Sequence, residues 1–180
     1  MNFKRHILIV ILAISITSLL VECRKKDNFL FESSAKLELQ TDSVLFDTVF
    51  TTIGSTTKRF KIYNRNKQPL IISNIKIKDG LNSNYRINVD SYKGPNINDV
   101  EIRAEDSLFV FVEVTVDPNS ATSPMVVQDE IIFTTNGNEQ KVILEAWGQD
   151  AYFHVNEAIC GNVTWPNDKP HVLYGIVAVG

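Results

Sequence analysis

Two histidines and one cysteine near the C-terminal end carry donor atoms that transition metals bind. His154, Cys160 and His171 present two imidazoles and a thiol, which are typical zinc ligands. Their spacing is loose, and the sequence offers no evident fourth ligand. Ordinary strand and loop positions explain the three residues more simply, so we predict no metal site and no cofactor.

The sequence carries no recognisable catalytic motif. It lacks G-x-S-x-G, H-E-x-x-H and a P-loop. Acidic pairs such as Asp129-Glu130 and Glu105-Asp106 fall at expected turns, where solvated strand ends explain them. With no candidate base in a plausible pocket, an acid–base mechanism cannot be written. We predict no catalytic residues and a protein that is not an enzyme.

Aromatic side chains are the remaining candidates for ligand contact. A sugar-stacking platform would draw on Tyr63, Tyr85, Tyr92, Trp147 and Trp165. Packing at a sheet edge or under a loop is the simpler interpretation, so the binding residues stay unknown at this stage.

The first residues have the composition of an export signal. Lys4, Arg5 and His6 form a short basic head, and an apolar run follows over residues 7–21. This run is shorter than the roughly 20 residues that span a bilayer, and it fits the apolar region of a secretory signal. A buried helix or a short N-terminal anchor is the alternative.

The apolar run ends at Cys23. The stretch Leu19-Leu20-Val21-Glu22-Cys23 resembles a bacterial lipobox, with Leu20 three positions before the cysteine. Glu22 departs from that pattern, which has a small residue there. The resemblance implies removal of residues 1–22 and attachment of lipid to Cys23. An unprocessed Cys23, or a disulfide between Cys23 and Cys160, is the alternative. If Cys23 carries lipid, Cys160 is left alone, and the oxidising compartment beyond the inner membrane favours burial of its thiol.

Length and charge restrict the function classes. The chain has 180 residues and a formal net charge of -3, which suits one domain with an appended segment. Basic residues are scattered apart from Arg24-Lys25-Lys26. No strong basic field exists to attract nucleic acid, so we predict no nucleic-acid partner.

Beyond a polar tether at residues 23–36, the apolar pattern has a period of two. Val44, Phe46 and Phe50 share one parity. The longest alternation is Leu108, Val110, Val112, Val114 and Val116, which is typical of a half-buried antiparallel strand. Asn136-Gly137 predicts a hairpin turn, and a change of parity at Ser73-Asn74 predicts a bulge or a switch of sheet. About eight short strands separated by turns predict an all-β sandwich over residues 37–150.

The same residues carry a resemblance. The stretches NRNKQPLIISNIKI, DSLFVFVEVTVDP, IIFTTNGN and VILEAWGQD resemble immunoglobulin-like modules of the choice-of-anchor D and major sperm protein-like groups. The matching pattern positions are Asn64, Pro69, Leu70, Ile72, Asp117, Pro118, Asn136 and Gly148. They are mostly packing and turn residues, so the resemblance implies an immunoglobulin-like antiparallel fold and no particular chemistry.

Residues 151–180 have a different character. Trp165, Pro166, Asp168, Lys169, Pro170 and His171 resemble the turn that joins such a module to a right-handed parallel β-helix in Gram-negative surface lipoproteins. One apolar strand, VLYGIVAVG, is expected after this turn. A β-helix needs neighbouring rungs. The segment is therefore expected either to pack back on the sandwich or to be a shortened start of a β-helix.

These inferences together predict an envelope lipoprotein. The expected location is the bacterial outer membrane or cell surface, with the membrane contacted through the lipid on Cys23 and a periplasm-facing position left open. The expected role is a non-enzymatic spacer, adhesion or assembly module, with glycans or envelope proteins as partners. The alternative is an accessory N-terminal part of a β-helix protein that binds or degrades polysaccharide.

Overall fold

The computed structural model describes residues 28–51, 53–117 and 125–180. In these ranges the strands are β1 (Glu38–Leu39), β2 (Ser43–Phe50), β3 (Lys58–Tyr63), β4 (Leu70–Ile77), β5 (Tyr85–Val89), β6 (Tyr92–Lys93), β7 (Asn96–Ile102), β8 (Ser107–Val114), β9 (Met125–Thr135), β10 (Asn138–Gln149), β11 (Tyr152–Val155), β12 (Ala158–Ile159), β13 (His171–Tyr174) and β14 (Ala178–Val179). A 3-10 helix spans Gly80–Asn82. The expected signal peptide, Cys23 and Pro118 lie outside the described residues.

Strands β1 to β10 form two five-stranded sheets. The first sheet has the order β1-β3-β8-β5-β6, and the second has the order β2-β10-β9-β4-β7. Pairing is antiparallel except between β2 and β10, which run parallel. The chain is therefore an all-β protein with an immunoglobulin-like β-sandwich, which confirms the predicted fold class.

The predicted alternation on β8 produces the centre of the core. Val110, Val112 and Val114 are fully buried because period-two positions of a strand share one face. Between the sheets, the rings of Phe60 and Phe133 meet edge to face with centroids 6.3 Å apart. Each large apolar side chain buried in this way contributes about 1.5–3 kcal/mol.

A bulge reconciles the two parities of β4. Ile72 and Ile75 are both fully buried although they differ in parity. The register of β4 against β9 shifts between Ile72 and Asn74, so the extra residue returns the strand to the same face. The predicted bulge at Ser73-Asn74 is confirmed.

The end of β2 differs from its prediction. The alternation groups Phe50 with Val44 and Phe46 on the core face, yet Val49 is the buried residue and Phe50 is half-buried. The register between β10 and β2 shifts between Glu145 and Trp147, which reverses the parity of the last β2 residues. The prediction for Phe50 was wrong, and its ring instead faces the C-terminal segment.

Part of the predicted tether lies against the sandwich. The Leu30 N–H donates to the Pro69 carbonyl over 3.0 Å. The Asn136 side-chain amide donates to the carbonyls of Leu30 and Ala35 over 3.1 and 3.2 Å, and Ala35 is buried. From residue 30 onward the stretch therefore makes folded contacts.

Residues 151–180 form two small parallel sheets. Strand β11 pairs with β13, and β12 pairs with β14. The single apolar strand expected over VLYGIVAVG is wrong, because the chain turns at Gly175, where φ is 76°. Two parallel pairs do not make a β-helix, and the described residues contain none.

The described residues include no helix of the length and apolarity needed to cross a membrane.

Tyr85 links the two sheets, and its buried phenol is expected to make the protein less stable at alkaline pH. It is fully buried, and its hydroxyl donates to the Val127 carbonyl over 2.8 Å. Burial, reinforced by the negative charges of Asp129 and Glu145, raises the pKa of the Tyr85 phenol far above its usual value. An unfolded tyrosine ionises near pH 10, so the folded state keeps a proton that the unfolded state loses. The associated stability is complete below about pH 10 and falls by about 1.4 kcal/mol per pH unit above it.

We expect Tyr85→Phe to remove this alkaline slope and to lower stability at neutral pH by about 1–2 kcal/mol, because the Val127 carbonyl loses its donor. Denaturant unfolding measured between pH 7 and 11 checks both effects. Tyr63→Phe is the control and should keep the wild-type slope. Identical slopes in wild type and Tyr85→Phe would contradict the assignment.

Candidate functional site at the junction of the sandwich and the C-terminal strands

Asp150 fastens the C-terminal strands to the sandwich. It lies directly after β10, and its carboxylate forms an ion pair with Lys169. The other carboxylate oxygen accepts hydrogen bonds from the Thr51 hydroxyl over 3.1 Å and from the Ala151 N–H over 2.9 Å. One side chain thus connects the end of β2, the end of β10 and the loop before β13.

The charge state of the junction follows from these contacts. The hydrogen bond from Lys169, helped by those from Thr51 and Ala151, holds the pKa of the Asp150 carboxyl below its usual value. The same contact with Asp150 raises the pKa of the Lys169 ammonium. The pair is therefore charged at neutral pH. Its contribution to stability is lost as pH falls through the lowered pKa of Asp150.

Aromatic contacts extend the junction. The rings of Phe50 and Phe153 meet at 88° with centroids 6.2 Å apart, so β2 packs against β11. The Lys169 ammonium also lies 5.7 Å from the centre of the Tyr152 ring. The Tyr152 N–H donates to the Pro170 carbonyl over 2.8 Å. Apolar packing and an ion pair therefore fix the same joint.

A flat cluster of rings lies beside this joint. His154 on β11 and His171 on β13 are joined through Nε2 and Nδ1 at 2.8 Å. Their centroids are 5.1 Å apart and their planes differ by 16°, so the two imidazoles lie edge to edge as one plate. The Trp165 indole is stacked on both, with centroids 4.3 Å from His154 and 4.5 Å from His171. We call these three side chains the ring cluster.

Hydrogen bonds fix the protons of the ring cluster. His171 Nε2 lies 2.7 Å from the Pro166 carbonyl and must donate to it, so Nδ1 of a neutral His171 accepts from His154 Nε2. His154 Nδ1 faces the Glu157 carboxylate. All four ring nitrogens of the two histidines are therefore in hydrogen-bond contacts within residues 151–180.

The residues weighed as a metal set are partly brought together. His154 and His171 are in contact, but the ring nitrogens of both residues are engaged in hydrogen bonds. Cys160 lines the same shallow groove as the ring cluster. Among the described residues, no three His, Cys, Asp or Glu side chains converge in a way that would hold a metal ion.

Cys160 is exposed. If Cys23 carries lipid, the sequence predicts burial of the remaining thiol, and that expectation is wrong. Cys160 follows β12 at the Gly161 turn, where φ is 82°. The two-stranded sheet of β12 and β14 has no second layer to cover it there.

The five aromatic residues considered for sugar stacking do not share a surface. Tyr85 is in the core, and Trp147 is exposed on the second sheet. Tyr92 is exposed on β6, at the far edge of the first sheet from Tyr63. Tyr63 lies under the Arg65 guanidinium, 4.2 Å from its ring centre. The predicted platform is therefore not assembled.

The acidic pair Asp129-Glu130 does not lie at a solvated strand end as the sequence suggested. Asp129 is buried, and its Oδ1 accepts from the Glu130 N–H over 2.7 Å. A hydrogen bond from Lys141 lowers the pKa of the Glu130 carboxyl. This ion pair leaves Glu130 without the raised pKa that a catalytic acid needs.

Comparisons with known proteins concern the fold. No protein family and no curated protein matches the chain. Among solved structures, a family 123 glycoside hydrolase from Clostridium perfringens is 10% identical, with a TM-score of 0.43 over 62% of this chain and 25% of that one. The E. coli chaperone DraB is 10% identical, with a TM-score of 0.41 over 62% of this chain and 54% of that one. The CooA pilin subunit from enterotoxigenic E. coli is 10% identical, with a TM-score of 0.40 over 62% of this chain and 96% of that one.

These similarities do not transfer an activity. This chain spans about half of the chaperone and a quarter of the hydrolase. The neighbours include chaperones, a pilin and a hydrolase.

Removing the indole is expected to loosen the parallel strands. Trp165→Ala deletes two ring contacts, each worth about 0.5–1.5 kcal/mol beyond area burial. We expect amides of β11 and β13 to exchange with solvent roughly ten-fold faster, measured by native-state hydrogen exchange. Trp147→Ala is the matched control, because Trp147 is exposed on the second sheet of the sandwich. Equal acceleration in both variants, or none in Trp165→Ala, would contradict this role.

Proposed function

We propose that this chain is a non-enzymatic, lipid-anchored module of a bacterial envelope, acting as a spacer or adhesion platform. The observation that carries this proposal is the fixed junction around Asp150 and the ring cluster. It fastens the parallel pair β11 and β13 to the end of the sandwich. The polar and aromatic side chains at this junction contact one another and hold strands together. A spacer needs such a rigid connection, whereas a catalytic site needs polar groups that remain free to contact a substrate.

The position of Cys23 supports anchoring. It follows the apolar run and lies only a few residues before Leu30, where contacts with the sandwich begin. A lipid there would hold the sandwich close to the membrane surface and direct the distal strands outward. Arg24, Lys25 and Lys26 would then face the anionic headgroups that attract basic residues next to a membrane.

Envelope fractionation of cells producing the full chain tests this proposal. We expect the protein to sediment with membranes, to resist a high-salt wash and to enter the detergent phase. A glycan array probed with the purified protein then separates adhesion, which gives binding, from spacing, which gives none. Recovery of the protein in the soluble fraction, still bearing residues 1–22, would overturn the proposal.

A second candidate function has one observation in its favour. Parallel pairing of β11 with β13 and of β12 with β14 repeats one strand–turn–strand unit. This repetition supports the accessory part of a polysaccharide-binding or polysaccharide-degrading β-helix protein. An accessory part is expected to be inactive without the rest of the β-helix protein, so turnover of a polysaccharide by the purified chain would overturn both candidates.

A further inference from the structure

The outer face of the first sheet brings cations and aromatic rings together. Residues directly opposite on antiparallel strands share a face. The registers place Arg59 of β3 opposite Phe111 of β8, Phe111 opposite Asn88 of β5, and Asn88 opposite Lys93 of β6. These four residues form a row across four adjacent strands. With about 4.8 Å between strands, the backbones at the two ends of the row are roughly 14 Å apart.

A second row adds to the same face. Lys61 lies opposite Phe109, and the Phe109 and Phe111 rings are neighbours with centroids 6.0 Å apart. The Lys61 ammonium and the Arg59 guanidinium lie 4.7 and 5.2 Å from the centre of the Phe109 ring. These contacts hold both cations on the sheet surface and reduce the entropy lost when they bind a ligand.

The charge balance of this face is positive at its three basic side chains. Within the described part of the chain, Arg59, Lys61 and Lys93 form no ion pair with a carboxylate. Such a group of unpaired positive charges stands out on a chain whose net charge is -3. It produces a local positive potential that attracts an anion.

A groove of about 540 Å³ lies on the Lys93 side of Phe111. Its polar wall includes Thr57, Arg86, Asn88 and Glu113. Thr57 donates to Glu113 over 2.6 Å, and Arg86 donates to the carbonyls of Ser83 and Tyr85 over 2.6 and 2.7 Å. Oδ1 of Asn88 is buried and has no hydrogen-bond partner among the described residues. An unsatisfied buried amide oxygen is uncommon.

We propose that this face binds an acidic oligosaccharide. Carboxylates of the sugar would pair with Arg59 and Lys93, one sugar ring would stack on Phe111, and a hydroxyl would donate to the Glu113 carboxylate. Between its carboxylates such a sugar offers neutral hydroxyls that can donate to Glu113, whereas consecutive phosphates offer only negatively charged acceptors, so a polyphosphate fits this groove less well. The four-strand span suits a short oligosaccharide and exceeds a single sugar.

This proposal names a ligand for the adhesion role and takes its biological setting from the proposed function. The two fail separately, because binding by purified protein does not depend on the lipid anchor, and fractionation does not depend on the groove.

Binding of oligogalacturonate to the detergent-solubilised full chain tests the site. Its fully methyl-esterified form is the matched ligand, with the same rings and no charge. We expect oligogalacturonate to bind, binding to weaken as salt rises, and the ester to bind at least roughly ten-fold more weakly. A single-stranded oligonucleotide and phosphatidylglycerol vesicles should bind more weakly than oligogalacturonate.

Charge-matched variants locate the site. The double variant Arg59→Gln/Lys93→Gln should lose at least roughly ten-fold in affinity, while Lys36→Gln/Lys67→Gln removes the same charge elsewhere and should stay within about two-fold. Phe111→Thr should weaken binding several-fold, since stacking is lost on a strand that keeps its β-propensity. Melting curves confirm that each variant is folded. Equal losses in both double variants, equal binding of the ester, preference for the oligonucleotide or vesicles, or no binding of oligogalacturonate would each overturn the proposal.

Discussion

Asn64→Ala is expected to cost about 3 kcal/mol of the free energy of unfolding, more than any exposed substitution in the sandwich. The Asn64 side chain is fully buried. Its amide donates to the Gln68 carbonyl over 2.8 Å and to the Arg103 carbonyl over 3.0 Å. Its oxygen accepts from the N–H and side-chain amide of Asn66, both over 2.9 Å. Alanine would leave these partners unsatisfied, and each buried unpaired group costs about 1–3 kcal/mol.

The position of Asn64 explains why this loss is not local. It directly follows β3, and its contacts reach the turn before β4 and the residue after β7. The first sheet and the second sheet are thus joined at one corner through one side chain. We expect the melting temperature of the variant to fall by about 10 °C.

Two further substitutions sharpen the test. Asn64→Asp keeps the acceptor but directs a carboxylate oxygen at backbone carbonyls, so it should destabilise at least as much as alanine. Asn162→Ala is the control, because Asn162 is exposed in the loop after β12, and it should change stability by less than about 0.5 kcal/mol. If Asn64→Ala lowered the free energy of unfolding by less than about 1 kcal/mol, the corner would not depend on this side chain.

Local chemistry explains which parts of the fold were predictable from sequence. The Asn136-Gly137 turn requires positive φ, and the two residues have φ of 51° and 78°. The β8 alternation and the β4 bulge both follow from one period and one change of parity. Each of these features is encoded within about ten residues, so it can be read without knowing the topology.

Other features depend on strand order, which no short window encodes. The strands β1 and β6 have two residues each and are too short to show alternation. The parallel pairing of β2 with β10 joins strands far apart in sequence, and the bulge that buries Val49 arises only there. Sequence patterns therefore predicted fewer strands than the sandwich contains.

The candidate sites show the same limit. His154 and His171 were identifiable by residue type, and the parallel register of β11 and β13 places them in one layer. No sequence pattern indicated that Trp165 stacks on both rings, because Trp165 lies in a loop with no regular period. The row from Arg59 to Lys93 combines four strands, so neither its charge nor its aromatic content is apparent in any one stretch of sequence.

Cys23→Ala is expected to remove acylation of the protein completely. The variant lacks the thiol that directly follows the apolar run, and the proposed lipid attachment through a thioether requires that sulfur. Each buried CH₂ of an acyl chain contributes about 0.8 kcal/mol of membrane affinity. Two or three chains therefore hold a protein almost permanently, and their loss changes its partitioning by many orders of magnitude.

Intact-mass analysis of envelope extracts checks this expectation. Wild type should have the mass of residues 23–180 plus acyl groups, and Cys23→Ala should show no acyl mass. Cys160→Ala is the matched control, since Cys160 is the other cysteine of the chain and is exposed. It should retain the wild-type acyl mass. Acyl mass that survives in Cys23→Ala, or a Cys23–Cys160 disulfide found without reduction, would refute lipidation at Cys23.

Substitutions at Glu22 allow the same mass analysis to measure how efficiently the chain is cleaved before Cys23. A charged residue occupies the position before Cys23 where the lipobox pattern has a small one, and a larger, charged side chain fits a peptidase subsite for small residues poorly. If processing occurs there, Glu22→Ala should raise the fraction of chains cleaved before Cys23, and Glu22→Gln should raise it less because its size is unchanged. A processed fraction that is the same in all three chains would show that this position does not limit cleavage.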